Sequence, residues 1–104
     1  MMNENLEILQ EPFVDGIRFI LRGRITTNNA HELEEKLEEA VNARCGSIIL
    51  NMLGVDHLSS AGIKAILKTY KDMKSVNGKL GIEGPSENVR NVLGMTALDT
   101  MLIK

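Results

Sequence analysis

Residues 48–64 read IILNMLGVDHLSSAGIK, and this stretch decides the fold. Its first part, Ile48 to Met52, is an apolar run with little alternation, which predicts a strand buried on both faces. A short loop is expected next, and Ser59 then stands where the N-cap of a helix belongs. From Ile63 onward apolar residues recur at helical spacing. Ser60 should therefore lie in the first turn of a helix, where backbone N–H groups are unpaired and the helix dipole is positive.

The composition predicts one soluble globular domain that spans residues 1–104. The hydrophobic share is 43% and the charged share 25%, values that are ordinary for such a domain. A formal net charge of −2 argues against nucleic acid as the main partner, because phosphate backbones attract clustered positive charge. No apolar run approaches the ~20 residues of a membrane span. The polar start does not resemble a signal peptide, and Cys45 is the single cysteine, so we expect a cytoplasmic protein with no membrane partner.

The periodicity of the chain predicts elements in the order β-β-α-β-α-β-α-β. Asp15-Gly16 indicates a hairpin turn, and Gly23 marks a bulge or the end of the second strand. A hairpin followed by alternating strands and helices implies an α/β fold: a mixed β-sheet with parallel central strands and helices packed against it. The predicted strands are residues 6–13, 17–25, 48–52, 79–83 and 101–103, and the helices open at the capping residues 26–29, 59–60 and 85–88.

Catalytic and cofactor sites are poorly supported. The G-x-S-x-G pattern of a hydrolase elbow is absent, since Leu58 stands two residues before Ser60. His57 could contact Ser60 across the loop, but a surface histidine is the commoner case. No Cys, His or Asp cluster has metal-ligand spacing, and no glycine-rich phosphate loop with lysine occurs. We therefore expect no enzyme activity, no cofactor and no metal.

Modification of Ser60 is the better supported chemistry. A phosphate there would add a charge of about −1.5 to −2 at a helix N-terminus, which stabilises anions. Ser60, Lys64, Lys68 and Lys71 share one helix face by their spacing, so Lys64 could neutralise that phosphate. The alternative is that both serines are only caps and the lysines only keep the surface soluble. The residues alone leave both interpretations open.

Residues 55–64, Val-Asp-His-Leu-Ser-Ser-Ala-Gly-Ile-Lys, resemble the signature loop of STAS domains, specifically of bacterial anti-sigma factor antagonists. The similarity runs from Leu6 to Ile103, and the family has the same order of elements. The resemblance implies that Ser60 is phosphorylated by a serine kinase that is also the anti-sigma factor. Unmodified protein would then bind this kinase and free the sigma factor, and a PP2C-type phosphatase would restore the hydroxyl group.

The chain departs from the usual STAS pattern in two places. Ser59 replaces the usual aspartate and Ala61 the usual serine or threonine, which leaves Ser59 as a second possible phosphate acceptor. The sequence also stops at Lys104, where family members usually continue into a further helix. An edge exposed at residues 101–103 could then favour self-association, so we expect a monomer or a weak homodimer.

The expected partner-binding residues surround Ser60. Gly62 is expected to let the partner's backbone approach closely, and residues 26–29 are expected alongside the loop by resemblance. Two alternatives to the switch stay open: a STAS scaffold or accessory subunit that does not switch, and a small-molecule or nucleotide-binding domain. The predicted partner-binding residues are Asp56, His57, Ser59, Gly62, Lys64, Thr26 and Asn28.

Overall fold

The computed structural model describes residues 6–95 of the chain. Its elements follow the predicted order as far as those residues extend, and the predicted last strand at 101–103 lies outside them. None of the helices in this range has the length and hydropathy needed to cross a membrane. The elements are β1 (Leu6–Phe13), β2 (Gly16–Ile25), α1 (Ala30–Asn42), β3 (Ser47–Leu58), α2 (Ser60–Ser75), β4 (Lys79–Glu83) and α3 (Glu87–Met95).

The four described strands form one mixed sheet in the order β1-β2-β3-β4. A turn at Val14 and Asp15 makes β1 antiparallel to β2, while β2, β3 and β4 are mutually parallel, as predicted. Pro12 lies in β1, at one end of this strand order and opposite Ile17 of β2. That position suits proline, which cannot donate a hydrogen bond to a central ladder.

One face of the sheet carries the core. Alternate residues of β3 are fully buried there, and the apolar stripes of the three helices complete the same cluster. Helices α1 and α2 lie side by side, since Lys68 Nζ of α2 stands 3.3 Å from Glu38 Oε2 of α1. The largest fully buried side chains are Phe19, Leu21, Ile25, Leu33, Leu37, Ile48, Leu50, Met52, Ile66, Met73, Ile82 and Leu93.

The prediction that residues 48–52 are buried on both faces is wrong. Ile49 and Asn51 are only half-buried, because they point to the opposite face of the sheet. That face, here called the polar face, carries a network across all four strands. Arg18 donates to Glu83 at 2.7 Å and to Glu11 at 2.8 Å, and Asn51 donates to Glu83 at 3.1 Å. Residues 48–52 therefore point alternately to the apolar core and to the polar face, where long polar side chains partly cover them.

The prediction of a loop between the buried strand and the serines is also wrong, because β3 continues to Leu58. Its last residues stay paired with β2, where Arg24 lies opposite His57 and Ile25 opposite Leu58. Two register shifts, between Ile20 and Arg22 and between Gly23 and Arg24, make this pairing irregular. Gly23 has a positive φ of 107°, so the bulge predicted at this glycine is present.

Candidate functional site

The carboxyl ends of β2, β3 and β4 meet at one edge of the sheet, here called the serine edge. The backbone N–H of Ser59 donates to the carbonyl oxygen of Ile25 at 2.9 Å, which joins the end of β2 to the start of α2. The Ser86 hydroxyl donates to the carbonyl oxygen of Val55 at 2.8 Å, which ties the segment after β4 to β3. Loops at this edge of parallel sheets commonly carry binding residues.

Ser59 is the N-cap of α2, as its position in the sequence predicts. Its backbone is extended, with φ −77° and ψ 166°, and its Oγ accepts a hydrogen bond from the Gly62 N–H at 3.2 Å. Its carbonyl oxygen accepts the first helical hydrogen bond, from the Ile63 N–H at 3.0 Å. The hydroxyl oxygen of Ser59 is thus engaged in holding the helix end.

Ser60 is the first residue of α2, and its side chain faces solvent. Within residues 6–95 its hydroxyl has no hydrogen-bond partner, unlike the capping oxygen of Ser59. The two serines are therefore not equivalent, although they are adjacent in sequence. One serves the helix, and the other presents a free hydroxyl group beside unpaired N–H groups of the first helical turn.

Gly62, which is predicted to let a partner's backbone approach, does not lie on the surface. It is buried, and a Cβ built on it would come within 2.6 Å of Ile25 Cγ2 and 2.8 Å of Leu58 Cδ1. Its missing side chain lets the first turn of α2 lie against the ends of β2 and β3. Gly62 thereby fixes where Ser60 emerges at the serine edge.

The β2–α1 loop lies beside the serines, as expected, because Ile25 both precedes this loop and bonds to Ser59. Thr26, however, is only 9% exposed, which leaves little of its surface for a partner. Its N–H donates to Asn29 Oδ1 at 2.8 Å, and Asn29 Nδ2 donates to the Arg24 carbonyl oxygen at 2.8 Å. Asn28 is exposed at the surface of the loop.

Three further predicted residues are exposed around Ser60. Asp56 and His57 lie near the carboxyl end of β3, and Lys64 lies one helical turn after Ser60. Lys68, one turn further, donates a hydrogen bond to the carboxylate of Glu38, and this bond raises the pKa of Lys68. Lys64 has no ion-pair partner among the described residues, so it is the cation best placed to meet an anion at Ser60.

Sequence reasoning missed the contacts that hold the edge together. Ser86 was predicted to cap α3, and its Oγ does accept from the Val89 N–H at 3.4 Å, but its bond to Val55 was not foreseen. Asn29 was assigned only to a group of capping residues, whereas its amide crosslinks the loop. The signal available was the residue type, since asparagine often bonds to nearby backbone groups in loops.

Comparison with known proteins identifies the family. Residues 10–104 match the model of the STAS domain. The chain belongs to the STAS domain family. It is 30% identical over 80 residues to the protein named "Putative anti-sigma factor antagonist BtrV" of Bordetella bronchiseptica, a match that covers 76% of this chain and 69% of BtrV.

Solved STAS structures share the fold at lower identity. The unphosphorylated form of the anti-sigma factor antagonist SpoIIAA superposes with a TM-score of 0.85 at 19% identity, covering 93% of this chain and 86% of SpoIIAA. The phosphorylated form of Bacillus SpoIIAA gives a TM-score of 0.77 at 18% identity, covering 93% and 89%. An anti-sigma factor antagonist of Mycobacterium paratuberculosis gives 0.86 at 21%, covering 97% and 86%. These likenesses show that the mixed sheet with its helices is the STAS fold.

Proposed function

We propose that this STAS domain is an anti-sigma factor antagonist whose binding to a serine-kinase anti-sigma factor is switched by phosphorylation of Ser60. The name of BtrV, a relative at 30% identity, and the names of the structural neighbours support the antagonist role. The existence of SpoIIAA in an unphosphorylated and a phosphorylated form supports a phosphate switch on this fold.

The observation that carries the proposal is the unequal use of the two serines. Ser59 Oγ is held by the Gly62 N–H at 3.2 Å, whereas Ser60 is exposed and its hydroxyl has no partner within residues 6–95. A kinase needs a hydroxyl group that it can reach and align with ATP. Ser60 offers such a group without disturbing the cap, so it is the acceptor and Ser59 is not.

The chemistry on this chain is a simple transfer. The Ser60 Oγ–H loses its proton to a base of the kinase, and Oγ forms a bond to the γ-phosphorus of ATP as the bond to ADP breaks. The product carries a charge of about −1.5 to −2 at the N-terminus of α2, where the dipole and unpaired N–H groups stabilise it. Lys64, on the same helix face, further reduces the cost of the charge. A PP2C-type phosphatase reverses the step by hydrolysis, which restores the hydroxyl and releases inorganic phosphate.

Release of the partner follows from electrostatics and desolvation. In the unmodified protein, the surface around Ser60 is formed by Asp56, His57, Asn28 and Lys64, which are all exposed. A dianion in the centre of this surface must lose its water when a partner docks, and it also cancels the attraction of Lys64 for acidic groups. The modified protein therefore dissociates although its fold is unchanged.

Phosphorylation with the kinase that purifies together with the unmodified protein tests the proposal. Wild-type protein, ATP and this kinase should give a mass increase of one phosphate, and Ser60→Ala should abolish it. Ser59→Asp is the matched control, because its carboxylate can still cap α2 and it restores the residue usual in STAS domains. This variant should be phosphorylated like the wild type.

Two results would contradict the proposal. An unmodified wild-type chain beside a kinase that is active on another substrate would favour a STAS scaffold that does not switch. A phosphate that persists in Ser60→Ala and disappears in Ser59→Asp would move the acceptor to Ser59.

A further inference from the structure

A cavity of about 490 Å³ lies at the end of the sheet opposite to the serine edge. The first residues of β3 and β4 and the second half of α2 line it, so most of its wall is regular secondary structure. Sites for small organic ligands typically enclose roughly 300–1,000 Å³. The cavity therefore has the size of a small-molecule site, and none of its lining residues takes part in the proposed phosphate switch.

The body of the cavity is apolar and aromatic. Phe13 and Tyr70 line it together with Ile49 and Leu80. The whole chain has only one tyrosine, two phenylalanines and no tryptophan, and the other phenylalanine, Phe19, is buried in the core. Phe13 keeps 38% of its surface exposed. Two of the three aromatic side chains are thus placed where they can enclose a flat apolar group.

Two lysines complete the lining. Lys74 and Lys79 are both exposed, and the Lys74 Nζ lies 5.5 Å from the centre of the Tyr70 ring. Neither lysine forms an ion pair with a carboxylate of residues 6–95. Arg18, which lies beside the Phe13 ring at 5.9 Å, differs in this respect because Glu11 and Glu83 both bind it. The cavity therefore combines an apolar interior with two cations that have no anion.

We propose that this cavity binds a small amphipathic anion, a compound with a flat apolar body and one acidic group. The body packs between Phe13 and Tyr70, and the acidic group meets Lys74 and Lys79, which supply charge-assisted hydrogen bonds. The site is separate from Ser60, since Lys74 stands 14 residues further along α2, roughly 21 Å at 1.5 Å per residue. Binding here does not depend on the phosphate switch.

A neighbouring cavity of about 560 Å³ provides an internal comparison. Arg44, Cys45 and Asn77 contribute to its lining, so it offers a cation, but no aromatic side chain lines it. A ligand that required only a positive charge could bind in this second cavity equally well. A ligand that needs both an aromatic enclosure and a cation would use the aromatic cavity.

Titration with a matched pair of dyes tests the proposal. The anion is 1-anilinonaphthalene-8-sulfonate, and the neutral partner is N-phenyl-1-naphthylamine, which has the same aromatic body without the sulfonate. The sulfonate dye should bind saturably to the folded chain. Combined replacement of Lys74→Gln and Lys79→Gln should weaken its affinity about tenfold, the effect of losing a charge-assisted contact. The neutral dye should bind both proteins alike, and Arg44→Gln should change neither dye.

A second variant and NMR mapping of the dye-binding site show whether the dyes bind in this cavity. Tyr70→Ala should weaken both dyes, because it removes one wall of the cavity. Changes in amide NMR shifts on adding the sulfonate dye should centre on residues 47–49 and 78–81, while each variant retains the circular dichroism spectrum of the folded chain. Absence of saturable binding, equal weakening by Arg44→Gln and the lysine variant, or shifts centred on Arg44 or Ser60 would each overturn the proposal.

Discussion

Gly62 lies so close to Ile25 that a methyl group on its Cα would come within 2.6 Å of Ile25 Cγ2. The contact brings the first turn of α2 directly against the end of β2. Since Ser60 lies two residues earlier in the same turn, this packing fixes the direction in which its hydroxyl emerges. The glycine is needed here for space, because its φ is that of an ordinary helical residue.

Replacing Gly62 by alanine should therefore destabilise the domain. Overpacking of this kind costs about 1–3 kcal/mol, which should appear as a lower midpoint in urea unfolding. Gly94→Ala in α3 is the matched control, because nothing lies within 4 Å of a Cβ at that position. The control should be stabilised by about 0.5–1 kcal/mol, the ordinary benefit of alanine in a helix. Equal effects of the two substitutions would refute the packing role of Gly62.

Alanine substitutions at the two serines should change the stability of the domain to different extents, as measured by thermal unfolding. Ser59→Ala removes the oxygen that accepts from the Gly62 N–H, and loss of such a cap costs about 1 kcal/mol. Ser60→Ala removes only an exposed hydroxyl and should stay within about 0.5 kcal/mol of the wild type. A larger loss in Ser60→Ala than in Ser59→Ala would contradict the assignment of the cap.

A negative charge at position 60 should weaken partner binding without disturbing the fold. Ser60→Asp places a carboxylate at the N-terminus of α2, a position that favours negative charge. Its affinity for the kinase anti-sigma factor, measured by calorimetry, should fall below that of Ser60→Asn, which has nearly the same shape and no charge. Aspartate carries less charge than a phosphate, so phosphorylated protein should bind more weakly still. Equal affinities of the Asp and Asn variants would exclude charge as the cause of release.

The polar face offers a test of which ion pairs couple strands. Arg18 and Glu83 are 2.7 Å apart with side chains 31% and 27% exposed, whereas Arg22 and Glu7 are 3.5 Å apart and 60% and 55% exposed. Screening by water is stronger for the second pair. Double-mutant cycles in denaturant should therefore give a larger coupling energy for Arg18 and Glu83. A coupling that is equal or smaller would show that the network on this face is not cooperative.

The ion pair between Glu38 of α1 and Lys68 of α2 should affect the titration of Lys68. The hydrogen bond that Lys68 donates to Glu38 raises the pKa of Lys68 above the usual 10.5. Because the folded pKa is raised, the stabilisation is complete below the unfolded pKa and is lost as the pH rises through the folded one. Glu38→Gln should lower the pKa of Lys68, measured by NMR of its Cε and Hε signals. An unchanged pKa of Lys68 in Glu38→Gln would contradict this link, since Glu38 is the carboxylate that pairs with Lys68.

The order of elements was predictable because helix and strand periodicities are local. Sequence reasoning placed β1 at residues 6–13 and put a cap at Ser59, and the structure agrees on both. A cap is a contact between residues three positions apart, here Ser59 and Gly62, so the sequence contains everything it requires. The resemblance of residues 55–64 to the STAS loop likewise depends on adjacent residues, and the family match confirms it.

Contacts between distant segments were the ones that sequence reasoning got wrong. The sequence predicts a loop after Met52, and Gly54 and Asp56 are residue types depleted in strands, yet pairing with β2 keeps the chain extended to Leu58. Gly62 is expected from its residue type to let a partner's backbone approach, and the resemblance to STAS domains places Thr26 beside the serines. Both lie inward, since their environment is set by β2 and β3 rather than by their neighbours in sequence.

The sequence by itself thus determined the order of helices and strands, the family, and the adjacent serines at the start of α2. Only the tertiary structure decided which serine caps the helix and which has an exposed hydroxyl group. It also decided that Arg18 contacts Glu83, 65 positions away, and that Phe13 and Tyr70 line one cavity. The physical reason is the range of the interactions. Periodicity and capping act within one or two turns of chain, whereas side chains from separate strands and helices meet only after the sheet has set its register.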